Sequence, residues 1–249
     1  MSERSSTEGP DGDYEAAAEY YDLASIERAE VLDAVIGRWA ADLPTGPVVD
    51  VGAGSGRLTT TLARSVPSVP VYAIEPDPAL RALLTARLVA DVDLLARVDV
   101  IPDGIPGAWG MVPDRLAGAI VLGVLPHLPP DGRTDLLARL AERLEPRGTA
   151  LVEVMPPWSA DPIPQQEFVS AAAGSQRVVG EMRADPEGDD ILRWKMTYRR
   201  LDSAGAPLHE TTSSFRCWVV HPDRFETEAD AAGFVVSWIT DQVAQLAPR

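Results

Sequence analysis

The chain of 249 residues contains no asparagine, and Lys195 is its single lysine, so arginine carries nearly all of its positive charge. We therefore expect neither a lysine Schiff base nor a catalytic triad with asparagine. Cys217 is the single cysteine, which excludes an internal disulfide and a cysteine-based metal site, and we predict no bound metal. Because the codons of lysine and asparagine are AT-rich, this composition is typical of a GC-rich bacterial genome.

The chain also has a deficit of positive charge. Its 38 acidic residues exceed its 22 basic residues, which gives a formal net charge of −16. Nucleic acids and anionic membranes attract proteins through a basic face, so we expect neither as a partner and predict a small-molecule ligand. No apolar run approaches the roughly 18 residues of a membrane span, and we recognise no signal peptide. We therefore expect a soluble, cytoplasmic protein.

Strand-like and helix-like segments alternate through the first two thirds of the chain. Short apolar segments predict strands at residues 48–51, 71–74, 98–101, 117–122 and 149–154. Amphipathic segments between most of them predict helices. This alternation implies right-handed crossovers, and hence an α/β, Rossmann-like fold with a mostly parallel sheet and helices on both faces.

The regions outside this alternation have different patterns. A proline-rich linker precedes three predicted antiparallel strands, at about residues 176–182, 191–200 and 210–220. A helix at residues 222–232 and a strand at 234–239 follow. We predict five regions: a disordered lead-in (1–13), N-terminal lid helices (14–45), a cofactor-binding core (46–155), an antiparallel insertion (156–220) and a final helix and strands that complete the core sheet (221–249).

Three glycines, Gly52, Gly54 and Gly56, lie between the first predicted strand and the following helix. Backbone N–H groups and the helix dipole point outward at such a place, and glycine allows a sharp turn and a close ligand approach. A dinucleotide-binding turn has a third small residue where this chain has Arg57. The observed G-x-G-x-G spacing, with Asp50 two residues before the first glycine, therefore disfavours a nicotinamide oxidoreductase.

This turn resembles the glycine motif of the class I S-adenosylmethionine-dependent methyltransferases. Glu75 ends the second predicted strand, where an acidic residue of that family accepts hydrogen bonds from both ribose hydroxyls. The stretch from Leu122 to Leu128 matches the region after the family's fourth strand. The resemblance implies S-adenosylmethionine as cofactor, and a seven-stranded sheet of order 3-2-1-4-5-7-6 with an antiparallel strand seven.

The resemblance also implies which residues bind the cofactor. The predicted set is Asp50, Gly52, Ala53, Gly54, Gly56, Glu75, Pro76, Asp103, Gly104 and Leu122. Asp50 either orients the glycine turn or reaches the cofactor amine through water. Asp103 matches a family acid that holds the adenine amino group, but it can equally be a loop residue. Trp109 belongs to the core or flanks the adenine.

Two residues are candidates for catalysis. His127 follows the fourth predicted strand, at the sheet edge where ligands bind in such folds, and it is either a general base or a loop histidine that bonds the backbone. In similar small-molecule methyltransferases an early Tyr-Asp pair covers the cofactor, and Tyr21 and Asp22 fit that pattern. The alternative is that the N-terminal tyrosines simply pack a peripheral helix.

The antiparallel insertion indicates the class of acceptor molecule. Its strand around Trp194 and the start at His209 look like those of bacterial tailoring enzymes that methylate amino sugars or short peptides. We therefore predict N- or O-methylation of a small secondary metabolite, with the insertion serving as an acceptor cap or as the surface of a homodimer. Two alternatives stay open: the same pocket used for non-methylating chemistry such as a cyclisation, and a non-catalytic partner subunit.

Overall fold

The computed structural model describes residues 14–249, so the predicted disordered lead-in lies outside the described residues. The helices are α1 (Tyr14–Ala24), α2 (Ile26–Ala40), α3 (Arg57–Ser65), α4 (Pro78–Val89), α5 (Val92–Leu95), α6 (Pro130–Arg143) and α7 (Pro222–Ala231). The strands are β1 (Val48–Val51), β2 (Val71–Ile74), β3 (Val98–Ile101), β4 (Leu116–Val121), β5 (Leu144–Glu153), β6 (Ile163–Ala173), β7 (Gln176–Gly188), β8 (Ile191–Leu201), β9 (Pro207–Trp218), β10 (Phe234–Trp238) and β11 (Val243–Pro248).

A seven-stranded sheet of order β10-β11-β5-β4-β1-β2-β3 forms the centre of the molecule. The strands β1 to β5 pair in parallel, whereas β11 pairs antiparallel with both β5 and β10. Counted within this sheet alone, the order is 3-2-1-4-5-7-6 with an antiparallel seventh strand. The predicted fold class and strand order are therefore confirmed.

Helices cover both faces of this sheet, which explains why β1 and β4 are buried along their whole length. On one face, apolar side chains of α2, α3 and α4 pack against residues such as Val48 and Ile120. On the other face, α6 and α7 pack against residues such as Val49 and Val121. Within residues 14–249, no helix combines the length and apolar character that crossing a bilayer requires.

A second sheet, which we call the cap sheet, consists of β6, β7, β8 and β9 in antiparallel order. The sequence predicted three of these strands and missed β6. Pro164 stands near the start of β6 and polar residues follow it, so the apolar alternation of a strand is weak there. An edge strand tolerates proline because one side of its backbone needs no partner, and β6 lies at the edge of the cap sheet.

Candidate active site

The glycine turn between β1 and α3 has a backbone that other residues rarely adopt. Gly52, Gly54 and Gly56 have φ angles of +73°, +58° and +80°. A Cβ atom at Gly56 would lie 2.2 Å from Leu84 Cδ1, so this position also requires the absence of a side chain. The N–H groups of Gly52 and Ala53 donate to the Ile74 carbonyl, at 2.9 and 2.8 Å. The turn is thereby held against the end of β2.

Glu75 follows β2 and lies directly beside the glycine turn. Its side chain is buried, and its two carboxylate oxygens accept hydrogen bonds from Gly54 N (2.7 Å) and Asp77 N (2.8 Å). Burial raises the pKa of Glu75, while the two backbone N–H groups act in the opposite direction. A carboxylate oxygen has two lone pairs, so each oxygen can accept a further hydrogen bond from a ligand hydroxyl.

Asp50 lies in β1, two residues before the first glycine of the turn. Its carboxylate accepts a 2.6 Å hydrogen bond from Thr59 Oγ1, which ties β1 to α3. Burial raises the pKa of Asp50 to about 7. This placement agrees with the alternative in which Asp50 orients the turn.

Neither Asp103 nor Trp109 lines the cavity. Asp103 is exposed, and its carboxylate accepts a hydrogen bond from Gly104 N at 2.8 Å. The Trp109 ring is buried in the main core, with the Arg143 guanidinium 5.2 Å from its centre. Asp77 caps α4 by accepting from Ala79 N and Leu80 N, each at 2.9 Å. Gly104, the next residue after Asp103, does line the cavity.

A cavity of about 460 Å³ extends from the glycine turn to the cap sheet. Seven of the predicted site residues line it: Tyr21, Gly52, Glu75, Pro76, Gly104, Leu122 and His127. Five others do not: Asp50, Ala53, Gly54, Gly56 and Asp103. The structure therefore brings both sequence landmarks, the glycine turn and the strand-end acid, to one end of a cavity whose other end is formed by the cap sheet.

His127 lies in a short 3-10 helix (Leu125–His127) after β4, and its ring faces residues distant in sequence. Its Nε2 atom is 3.0 Å from Tyr14 Oη, and its Nδ1 atom is buried without a hydrogen-bond partner among residues 14–249. The Phe215 ring centre is 6.0 Å away. Burial lowers the pKa of His127 to about 4, so the imidazole is neutral at pH 7.

Helix α1 lines the cavity and contacts both the glycine-turn region and the cap sheet. Asp22 accepts a 2.5 Å hydrogen bond from Ser55 Oγ in the glycine turn and pairs with Arg87 on α4. Tyr20 Oη lies 2.9 Å from His209 Nδ1 in the cap sheet. The Tyr21 ring lies against Gly54, and burial raises its pKa to about 12, so its phenol stays protonated. This placement agrees with the lid interpretation of the Tyr-Asp pair.

Sequence reasoning missed Arg28 and Glu153, and it did not connect Tyr14 with His127. Arg28 on α2 lines the cavity, and its Nε atom donates to Glu153 Oε1 at 2.9 Å while Nη2 pairs with the other oxygen. Glu153 is buried at the end of β5. Its strand-end position, equivalent to that of Glu75 on β2, was a signal that could have been used.

Comparisons with known proteins agree with this architecture. No protein-family profile and no curated protein sequence matches the chain. Solved structures do match it. DesVI of Streptomyces venezuelae superposes with a TM-score of 0.72 and 16% identity, over 94% of this chain and 98% of that chain. CalS10 of Micromonospora echinaspora, an amino pentose methyltransferase solved with S-adenosylmethionine bound, gives a TM-score of 0.67 and 19% identity, over 95% and 96%.

A third similar structure is KedS8, a sugar N-methyltransferase of a Streptoalloteichus species. It gives a TM-score of 0.64 and 17% identity, over 100% of this chain and 99% of that chain. The chain has the class I methyltransferase fold. Because the match includes nearly the whole of each chain, it comprises the cap sheet and the N-terminal helices as well as the central sheet.

Proposed function

We propose that the protein is an S-adenosylmethionine-dependent methyltransferase that methylates a small secondary metabolite, with an amine as the acceptor group. The observation that carries this proposal is the contact between Glu75 and Gly54, 21 residues apart in the chain. It unites the glycine turn with a buried carboxylate at one end of a cavity. Similar folds that are described as amino pentose, sugar N- and glycopeptide N-methyltransferases support the same conclusion.

The residues at this end of the cavity fit the cofactor. Glu75 has free acceptor capacity for ribose hydroxyls, and the backbone at Gly52 is open to the cavity. Leu80, Ile105 and Leu122 supply apolar walls suited to an adenine ring. Bound S-adenosylmethionine would supply an electrophilic methyl group on a sulfonium.

The protein's own contribution is to hold the acceptor and to exclude water. Helix α1 and the cap sheet close the cavity, and Tyr21 covers the glycine turn. When Nε2–H donates to Tyr14 Oη, the Nδ1 atom of neutral His127 can accept a hydrogen bond from an acceptor amine and so orient the amine's lone pair. Because its pKa is about 4, it is a weak base. It therefore suits an amine, which needs to be neutral and desolvated, better than a hydroxyl, which must lose a proton.

Calorimetric binding tests this proposal first. We expect S-adenosylmethionine and S-adenosylhomocysteine to bind, and NADH, the control, not to bind. Absence of binding by both sulfur compounds would contradict the proposal and favour a partner-subunit role. A product from an amine acceptor that contains no added methyl group would instead favour the cyclisation alternative.

We also propose a bacterial, cytoplasmic enzyme without a nucleic-acid partner. The arginine-rich, lysine-poor composition and the net charge of −16 support this setting. The homodimer stays a prediction, and size-exclusion chromatography with light scattering measures it directly.

A further inference from the structure

The cap sheet presents two chemically different faces. Successive residues of a strand point to opposite sides, and in β8 the alternate residues Leu192, Trp194, Met196 and Tyr198 line the cavity. The residues between them are polar or charged, and the chain's single lysine, Lys195, is exposed. The apolar face therefore belongs to the cavity and the charged face to the solvent.

Neighbouring strands extend the same apolar face. Trp194 pairs with Phe215 on β9, and Met196 pairs with Met182 on β7, and all four of these residues line the cavity. Phe168 on β6 joins them. Aromatic rings and thioethers thus dominate this end of the cavity, with Ser213 and Cys217 also in its lining, and such groups accommodate an apolar ligand body and adapt to its shape.

Three arginines of the cap sheet are already paired with carboxylates on its charged face. Arg193 and Arg216 bind Glu187 at 2.6 and 2.7 Å, and Arg199 binds Glu181 and Glu210, both at 2.5 Å. None of these three arginines lines the cavity. The charged face is therefore a network of surface ion pairs and supplies nothing to a ligand inside.

Within residues 14–249, Arg28 is the one lysine or arginine that lines the cavity, and Glu153 neutralises it through two contacts. At the cap-sheet end of the cavity, a phosphate or carboxylate would lose its hydration without gaining a cation, because no lysine or arginine of the cap sheet lines the cavity. Burial of an unpaired charge is strongly unfavourable, so this end of the cavity selects against anionic groups on the acceptor.

We propose that the acceptor is an amine carried on an apolar body without phosphate or carboxylate groups, and that the apolar face of the cap sheet holds this body. This inference rests on the proposed methyltransferase function and narrows its substrate class. It disfavours an acceptor whose phosphate or carboxylate would lie against the apolar face of the cap sheet. An amino sugar attached to an aromatic or hydrocarbon group has the required chemistry.

Three probes test the charge and polarity of the site: 1-naphthylmethylamine, 1-naphthylacetate and uridine diphosphate. Binding is measured by calorimetry on protein saturated with S-adenosylhomocysteine. At a pH that leaves the amine largely neutral while both anions stay charged, we expect the amine to bind at least about tenfold more tightly than either anion. Equal or tighter binding by an anion, or no binding by the amine, would overturn the inference.

Variants of adjacent residues connect the result to the cap sheet. Trp194→Ser should lower the affinity for 1-naphthylmethylamine by about tenfold. Lys195→Ser, on the opposite face, should change that affinity by less than about twofold. Met196→Lys, which places a cation in the cavity, should raise the affinity for 1-naphthylacetate relative to the affinity for the amine. Equal losses in the Trp194 and Lys195 variants, together with no gain in the Met196 variant, would contradict the assignment of this face.

The binding of S-adenosylhomocysteine itself distinguishes a failure of the proposed methyltransferase function from a failure of the apolar-acceptor inference. If it does not bind, the proposed function fails and this inference fails with it. If it binds while the anionic probes are preferred, the methyltransferase proposal stands and the apolar-acceptor inference is wrong.

Discussion

Replacing Glu75 by alanine is the most direct test of the cofactor site. The substitution removes the acceptor of two backbone N–H groups, those of Gly54 and Asp77, and the proposed acceptor of the ribose hydroxyls. A buried polar group left without a partner costs about 1–3 kcal/mol. We therefore expect Glu75→Ala to weaken the binding of S-adenosylhomocysteine by about 1–3 kcal/mol, which raises its Kd by about 5–150-fold.

A matched control lies two residues away. Asp77 is also an acid, but its side chain caps α4 and does not line the cavity. Asp77→Ala should lower the free energy of unfolding by about 0.5–2 kcal/mol through the lost cap. It should leave cofactor affinity nearly unchanged. Calorimetry and thermal unfolding of both variants give the comparison, and an unchanged Kd in Glu75→Ala would refute the assignment of Glu75 to the site.

Three further predictions concern the base, the buried acid and the lid. His127→Asn should lower kcat/KM by only about tenfold, because a hydrogen bond that orients an amine contributes about 0.5–1.5 kcal/mol; a loss of about 10²–10⁴-fold would instead indicate a general base. Asp50 has a folded-state pKa of about 7, above its unfolded value, so its contribution to stability should decline as pH rises between about 4 and 7. Asp50→Asn should remove that decline in urea unfolding, and an unchanged pH profile would contradict it. Asp22→Ala should release α1 and speed proteolysis within residues 14–24, whereas alanine at exposed Asp93 should not; equal digestion rates would argue against the lid contacts.

Local sequence patterns were sufficient to predict the fold of the central sheet. The alternation of apolar strands and amphipathic helices predicted five parallel strands close to their observed positions, because burial on both faces requires continuous apolar segments. The glycine turn and Glu75 could likewise be identified, since each depends on a residue type at a strand end. The edge strand β6 could not, because its pairing with β7 compensates for a weak apolar pattern of its own.

The partners of the site residues depended on tertiary structure. Tyr14 and His127 are 113 residues apart, and Arg28 and Glu153 are 125 residues apart. Sequence spacing gives no distance between such residues, because the sheet order and the packing of α1 determine which strand ends and loops meet. The same holds for Asp103: its place after β3 predicts an adenine contact, its side chain is exposed, and the contact stays a prediction.

By itself, the sequence determined the fold class, the strand order implied by the methyltransferase resemblance, and the glycine turn with its strand-end acid. These features are encoded locally, in hydrophobic periodicity and in backbone conformations that glycine alone adopts readily. Tertiary structure decided which predicted residues reach the cavity, the lowered pKa of His127, and the mainly apolar character of the cavity end formed by the cap sheet. Those properties arise from burial and from contacts between distant segments, which form only when α1, the central sheet and the cap sheet pack together.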